Sequence, residues 1–374
     1  MRVGVYKIPM NDPADVSALR GLIEAGEVDP RLIVASIGKT EGNGGANDFT
    51  RALATLSFSR LLGDYLDLRP EEVQERVAFV WSGGCEGVIS PHATFFTRDD
   101  SVTGTPTAGG GLALSVQRTR AFLPEEVGRM PEVQEVASAT GRALAELEIV
   151  DPRDVHYVQV KGPLLTPARI RDAERRGATV VTTDPNRSKA YARGATALGV
   201  ALALGEVQAD QVSDATIAND PNLFTSVAST SAGGELVSCE VLVFANSPRS
   251  SSPFRIGHAL LRDAVDAAGV RSALQSAGLS FADVPSAEQR GRIAAIFAKA
   301  EAPPGGQLRG WRTTMLSDAD INYERHARAA VGAVIASVTG DPAIFVSGGT
   351  EHQGPPGQAP LAAIVATDWR PSLH

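Results

Sequence analysis

The chain has 374 residues, 43% of them hydrophobic and 5% aromatic, and a formal net charge of −8. That length can bury a large core and commonly divides into two or three domains, while the acidic balance disfavours nucleic acid and anionic membrane as partners. No window reaches the apolar length of a membrane span, and two cysteines, Cys85 and Cys239, are too few for a disulfide framework, so the expected location is a reducing, cytoplasmic one.

The opening MRVGVYKIPM lacks a long apolar stretch and a small-residue cleavage pattern, and it reads as a first β-strand. An amphipathic helix is predicted over 15–26, from apolar residues at helical spacing. A strand over 31–39 ends in Lys39, a helix over 48–63 carries Arg51, and a strand over 76–81 delivers Ser82. The order then returns. A strand over 112–123 is followed by a helix over 131–149, a strand over 154–161 ending in Lys161, a helix over 189–207 carrying Arg193, and a strand over 223–230 delivering Ser231. It returns once more. A short strand over 252–257, a helix over 258–278, a strand over 292–299 ending in Lys299, a helix over 323–338 carrying Arg325 and a strand over 343–346 lead to Ser347.

Each serine opens the same phrase: SGGCE at Ser82–Glu86, SAGGE at Ser231–Glu235 and SGGTE at Ser347–Glu351. A single Ser-Gly-Gly is an ordinary sharp turn, and a single strand-end lysine is ordinarily solvated. Three copies in register with lysine and arginine, at a period of roughly 110–140 residues, argue for one unit used three times. The units are expected at 1–103, 111–248 and 254–374. The Gly/Pro/Ser-rich stretches 104–111 and 246–253 serve as connectors; the glycine run has neither a GxGxxG nor a GKS/T spacing for phosphate.

The recurring residues make a chemical kit. Burial at a strand end lowers the pKa of a lysine, and nearby arginines push the same way, so its neutral amine can take a proton from a serine hydroxyl. Glycine turns let backbone N–H groups approach a developing oxyanion. Arginine offers a fixed fork to ring oxygens. The glutamates Glu86, Glu235 and Glu351 are expected to pair with the cations or support the turns. Three units around a pseudo-threefold axis would surround a small planar ring bearing three carbonyls. The six histidines are scattered, with no HExxH pair and no Cys/His cluster, and His92 and His352 read as packed residues.

The segments SIGKTEGNG, WSGGCEGVISPH, VQVKGPLLT, ASTSAGGE, FAKAEAPP and SGGTEHQGPPG resemble the cyanuric acid hydrolase and barbiturase family along essentially the whole chain. The resemblance implies an α/β fold of three similar repeats around a central site, a homotetramer, and hydrolytic opening of a cyclic imide without a catalytic cofactor. It implies Ser231 as nucleophile and Lys161 as base, with Lys39 and Lys299 supporting. Arg51, Ser82, Gly83, Arg193, Ala232, Arg325, Ser347 and Gly348 would then bind the ring together with Ser231. It further implies a structural Mg²⁺ or Ca²⁺ held by Glu301, Thr350, Gln353, Gly354 and Pro355, where the turn-rich EHQGPPG stretch offers free carbonyls to a hard cation. Cyanuric acid is the substrate expected first. The alternatives are barbituric acid, decided by a contact near Asn322, and a non-catalytic ring-binding protein.

Overall fold

The computed structural model describes residues 1–368 except Thr103, Gly104, Pro106 and Ala108. Part of the 104–111 connector, and residues 369–374 of the third expected unit, therefore lie outside the described residues.

Three four-stranded sheets follow one another along the chain. The first unit runs β1 (Arg2–Pro9), α1 (Ser17–Glu24), β2 (Ile33–Thr40), α2 (Thr50–Leu66), α3 (Pro70–Arg76), β3 (Ala78–Gly83) and β4 (His92–Asp99). The second runs β5 (Gly111–Arg118), α4 (Met130–Glu146), β6 (Val155–Pro163), α5 (Pro167–Arg175), α6 (Pro185–Leu204), β7 (Ala228–Gly233) and β8 (Glu240–Ser247). The third runs β9 (Phe254–Leu261), α7 (Ala267–Ser276), α8 (Ala287–Gly291), β10 (Ile293–Ala300), a hairpin of β11 (Gln307–Leu308) and β12 (Trp311–Arg312), α9 (Tyr323–Thr339), β13 (Phe345–Gly348) and β14 (Ala359–Ala366). The sheet orders are β1-β4-β2-β3, β5-β8-β6-β7 and β9-β14-β10-β13, the same topology each time.

In each sheet the lysine strand pairs in parallel with the serine strand. The register sets Lys39 beside Ser82, Lys161 beside Ser231 and Lys299 beside Ser347. Side chains alternate across a strand, so each pair shares a face. The opposite register would turn both residues into the helix-covered core.

The long helices start where the chain supplies caps. Asp184 accepts from the backbone N–H groups of Asn186 and Arg187 ahead of α6, and Asn322 accepts from Glu324 N ahead of α9. A cap of this kind is worth about 1 kcal/mol. Gly205 and Gly340, both at φ 73°, close the two helices in the left-handed conformation that glycine adopts without strain.

Each sheet packs its outer face on its own helices. The inner faces meet in one shared core, where Val5, Ile37 and Phe96 of the first unit touch Leu114, Tyr157 and Phe244 of the second and Ile256, Phe297 and Phe345 of the third. Phe96, Phe244 and Phe297 stand 5.0–6.3 Å apart, a spacing suited to edge and tilted ring contacts. The core closes the space between the sheets along most of their length. It leaves the carboxyl ends of the lysine and serine strands to form a cavity.

Three expectations change. The fourth strand of every sheet, β4, β8 and β14, has no counterpart among the predicted elements. The helix expected over 258–278 begins at Ala267, because His258–Leu261 extend β9 along β14. The strands expected over 112–123 and 223–230 are shorter, ending at Arg118 and beginning at Ala228.

Candidate active site

Arg51, Ser82, Gly83, Lys161, Arg193, Ser231, Ala232, Ser347 and Gly348 line one small central cavity, shared with Gly44, Trp81, Lys189, Glu324 and Arg328. Residues from all three units thus converge, as a ring of three repeats requires.

The lysines are fully buried and reach across unit boundaries. Lys39 Nζ donates to Ser82 Oγ at 3.1 Å and to Val346 O at 2.8 Å. Lys299 Nζ donates to Ser347 Oγ at 3.3 Å, Gly348 O at 2.9 Å and Thr230 O at 2.8 Å. Lys161 Nζ donates to Trp81 O at 3.3 Å and lies 3.3 Å from Glu235 Oε1. Every lysine therefore touches the carbonyl immediately before a serine of another unit: Lys39 reaches the third unit, Lys161 the first and Lys299 the second.

The middle set differs from its two copies. Ser82 and Ser347 are tied to their lysines, whereas Ser231 Oγ is buried with no hydrogen-bond partner among the described residues. Its hydroxyl is free to turn toward a bound carbonyl. Burial lowers the pKa of Lys161; Glu235 opposes this and the Arg51 guanidinium assists it. Burial and then Arg328 lower Lys39 to about 7, and burial and then Arg193 hold Lys299 well below the usual lysine range. All three amines are thereby shifted toward the neutral form.

The glutamates and arginines close a second ring. Glu235 lies 3.2 Å from Arg51 Nε. Glu351 takes two 2.7 Å bonds from Arg193, and Glu86 accepts from Arg328 Nε at 2.8 Å. Each arginine thus holds the glutamate of the next unit, and the three pairs lock the units around the axis. Although burial resists it, Glu235 is pushed down to about 2 by Lys161 and Arg51.

The third arginine of the cavity is Arg328, not Arg325. The Arg325 side chain is 48% exposed and only its Nε approaches Glu86, at 3.3 Å, while that of Arg328 is 5% exposed. The reason is helical phase. The buried stripe of α9 includes Ala327, Arg328, Val331, Ile335 and Val338, and Arg325 lies off it. Asn322 is likewise an exposed cap, not a wall residue.

Two other charged wall residues escaped the sequence reading, as did Gly44 and Trp81. Lys189 stands one helical turn before Arg193, and Glu324 one turn before Arg328. Glu324 lies 3.2 Å from Arg193 Nη2 and 3.8 Å from Lys189 Nζ. The first unit has no such turn, because α2 starts at Thr50, directly before Arg51. The i−4 position on the arginine face is the signal that finds them.

The glycine after Ser82 and after Ser347 also follows from the geometry. A Cβ at Gly83 would sit 1.7 Å from Asp48 Oδ2, and one at Gly348 would lie 2.9 Å from Arg328 Nη1. The middle unit has room for the methyl group of Ala232.

Beside the third motif, Glu301 follows β10 directly and faces the 350–357 turn. Glu301, Thr350 and Gly354 line a cavity of about 270 Å³. Thr350 Oγ1 donates to Glu301, Thr350 O accepts from Gln353 N at 2.8 Å and Pro355 O accepts from Gln358 N at 2.9 Å. Gln353 Oε1 accepts from Thr230 N at 2.7 Å, tying the turn to the strand that ends in Ser231. Burial pushes Glu301 up to about 7, and it has no salt bridge among the described residues. A half-buried carboxylate among carbonyl and hydroxyl oxygens fits a hard cation.

The model of a family described as amidohydrolase ring-opening proteins matches residues 4–366. The chain is 66% identical to a cyclic amide hydrolase of Azorhizobium caulinodans, over 98% of this chain and 100% of that protein. It is 49% identical to a cyanuric acid amidohydrolase of Pseudomonas sp. strain ADP, over 97% and 99%. It is 43% identical to Barbiturase 1 of Nocardioides sp., over 97% and 98%. A solved cyanuric acid hydrolase structure described as a structural concatenation superposes with a TM-score of 0.93 at 49% identity, covering 98% of this chain and 99% of that one. With three arginines and three serines lining one cavity, backed by the buried lysines and the glutamates, and the match running nearly end to end, the chain belongs to the family of ring-opening amidohydrolases.

Proposed function

We propose that the protein hydrolyses cyanuric acid to carboxybiuret, which loses carbon dioxide to give biuret, with Ser231 as nucleophile and Lys161 as base. The observation that carries this reading is the unpartnered Ser231 Oγ beside buried Lys161, in a cavity walled by three arginines. Ser231 Oγ attacks a ring carbonyl as its proton passes to Lys161 Nζ. Arg51, Arg193 and Arg328 hold the ring oxygens, and backbone N–H groups of the serine turns face the oxyanion. The C–N bond breaks as Lys161 returns the proton to the ring nitrogen. Water then releases the acyl group from Ser231, its proton passing through Lys161. Ser82 and Ser347, held by Lys39 and Lys299, bind the remaining carbonyls.

A second reading keeps the chemistry and changes the ring. Glu324 and Lys189 put charges on the second and third walls without a counterpart on the first. A ring with three equal edges leaves that difference unused, whereas barbituric acid or another ring with one distinct edge would exploit it. Mass spectrometry of the products from cyanuric and barbituric acids decides between them. Biuret from the first ring alone is the expected result; ureidomalonate as the main product overturns it. Glu324→Gln is expected to change the ratio of kcat/KM for the two rings by about tenfold, the scale of one altered pocket contact.

Glu301, with Thr350 and the backbone of Gln353, Gly354 and Pro355, would hold Mg²⁺ or Ca²⁺. The cation would fix the loop behind Ser347–Glu351. Millimolar Ca²⁺ or Mg²⁺ is expected to raise the Tm, in line with about 2.7 kcal/mol at a hundredfold excess over Kd. Glu301→Gln should abolish the rise. The homotetramer rests on the family resemblance, as does the cytoplasmic location, to which the free cysteines Cys85 and Cys239 add.

A further inference from the structure

Sheet register places one row of four side chains across the inner face of each unit. In the middle sheet the row reads Arg118, Glu240, Lys161, Ser231 across β5, β8, β6 and β7. In the first sheet it reads Pro9, His92, Lys39, Ser82. In the third, Leu260 pairs with Pro360 and Lys299 with Ser347, and Pro360 stands one position beyond the paired Leu361 and Ala298. Only the middle lysine has a carboxylate as its cross-strand neighbour. Directly opposed residues of antiparallel strands have Cβ atoms about 4.5–5.5 Å apart.

The copies show what the middle row adds. Burial lowers the His92 pKa to about 4, so at neutral pH its ring carries no charge. Pro360 has no polar side chain. Glu240, by contrast, is buried, and its Oε1 accepts from Arg118 Nη2 at 3.1 Å. Arg118 is itself anchored by the carbonyls of Gln74, Glu75 and Val77 of the first unit. Glu240 Oε2 is buried with no hydrogen-bond partner among the described residues. An orphan carboxylate oxygen in such a place is costly unless a cation forms beside it.

We propose that Glu240 is a positioning residue: held by Arg118, its carboxylate stabilises the charge Lys161 gains with the Ser231 proton, and so selects Ser231 among the three serines. The proton passes from Ser231 Oγ to Lys161 Nζ and stops there; Glu240 stays ionised and takes none. This is the logic of a base held by a third group, with lysine in the place of imidazole. Glu235 also marks the middle set, since its Oε1 lies 3.3 Å from Lys161 Nζ and neither Glu86 nor Glu351 makes such a contact with its lysine among the described residues; Glu240 adds a second carboxylate as the cross-strand neighbour of the amine. The charged neighbours of Glu240 are Arg118 on β5, Lys161 on β6 and Glu235 after β7. Burial raises its pKa to about 7 against the pull of Arg118 and Lys161. The positive charge that forms on Lys161 therefore favours its ionised form.

The proposal rests on Lys161 being the base, and its test does not need turnover. The ε-CH₂ signal of Lys161 is followed by NMR through a pH titration of lysine-labelled protein, assigned by its loss in Lys161→Met. In Glu240→Gln the midpoint is expected to fall by about one pH unit, because an opposite charge has gone from beside the amine. Glu240→Asp should restore most of it, and Arg118→Gln should move it the same way by less. The ascending limb of the pH–kcat/KM profile should follow to lower pH, with kcat down about tenfold. An unshifted midpoint in both Glu240→Gln and Arg118→Gln overturns the proposal, even where activity falls. Full activity in Lys161→Met would instead overturn the assignment of the base.

Discussion

Ser231→Ala and Lys161→Met are expected to lose turnover by roughly 10³-fold or more while the protein still folds. Ser231 Oγ has no partner in the resting site, so its removal breaks no hydrogen bond. Methionine fills most of the lysine volume, and Glu235 keeps Arg51 as its cation. On the proposed mechanism Ser82→Ala and Ser347→Ala each remove one group that binds a spectator carbonyl, and a loss of about 10²-fold is expected, the scale of one oxyanion-type donor. Steady-state kinetics with thermal melts on the four variants checks the ranking. Equal losses for all three serines would mean that the sets are interchangeable.

Arg328→Ala is expected to damage both activity and stability, and Arg325→Ala neither. Among the described residues Arg328 is the only bidentate partner of Glu86, and both side chains are nearly excluded from solvent. Breaking such a pair strands a buried carboxylate and costs about 3–5 kcal/mol. The cavity also loses one of its three guanidinium walls, so kcat/KM should fall by about 10²-fold or more. Arg325 sits at the rim, where an exposed pair is worth about 0–1 kcal/mol. Melting temperatures and kcat/KM for the two variants side by side make the comparison. The reverse ranking would restore Arg325 to the site.

The strand-end lysines and the Ser-x-Gly-x-Glu phrases were legible because strand and turn chemistry fix them locally. A lysine closing an apolar run and a serine opening a glycine turn keep their places whatever packs above them. Arg328 was not legible from its distance to a helix start, since α2, α6 and α9 begin one, eight and five residues before their arginines. Following the buried stripe of α9 would have found it. Lys189 and Glu324 lie four residues before Arg193 and Arg328, so they could be found only after each arginine had been placed on its buried face. The strands β4, β8 and β14 are almost wholly buried, and without polar alternation their apolar runs carry no period to identify them. The 258–278 segment read as helix because apolar spacing carries through the turn at 262–266. Glu240 drew no notice in the sequence, because its place beside Lys161 exists only in the sheet.

The claim beneath all of this is that three near-equivalent sets surround one cavity and only the middle serine attacks. Acid quench of a single turnover, followed by digestion and peptide mass spectrometry, tests it directly. The account predicts a ring-opened acyl adduct on the peptide containing Ser231 and none on those containing Ser82 or Ser347. An adduct on either of those two serines would contradict it.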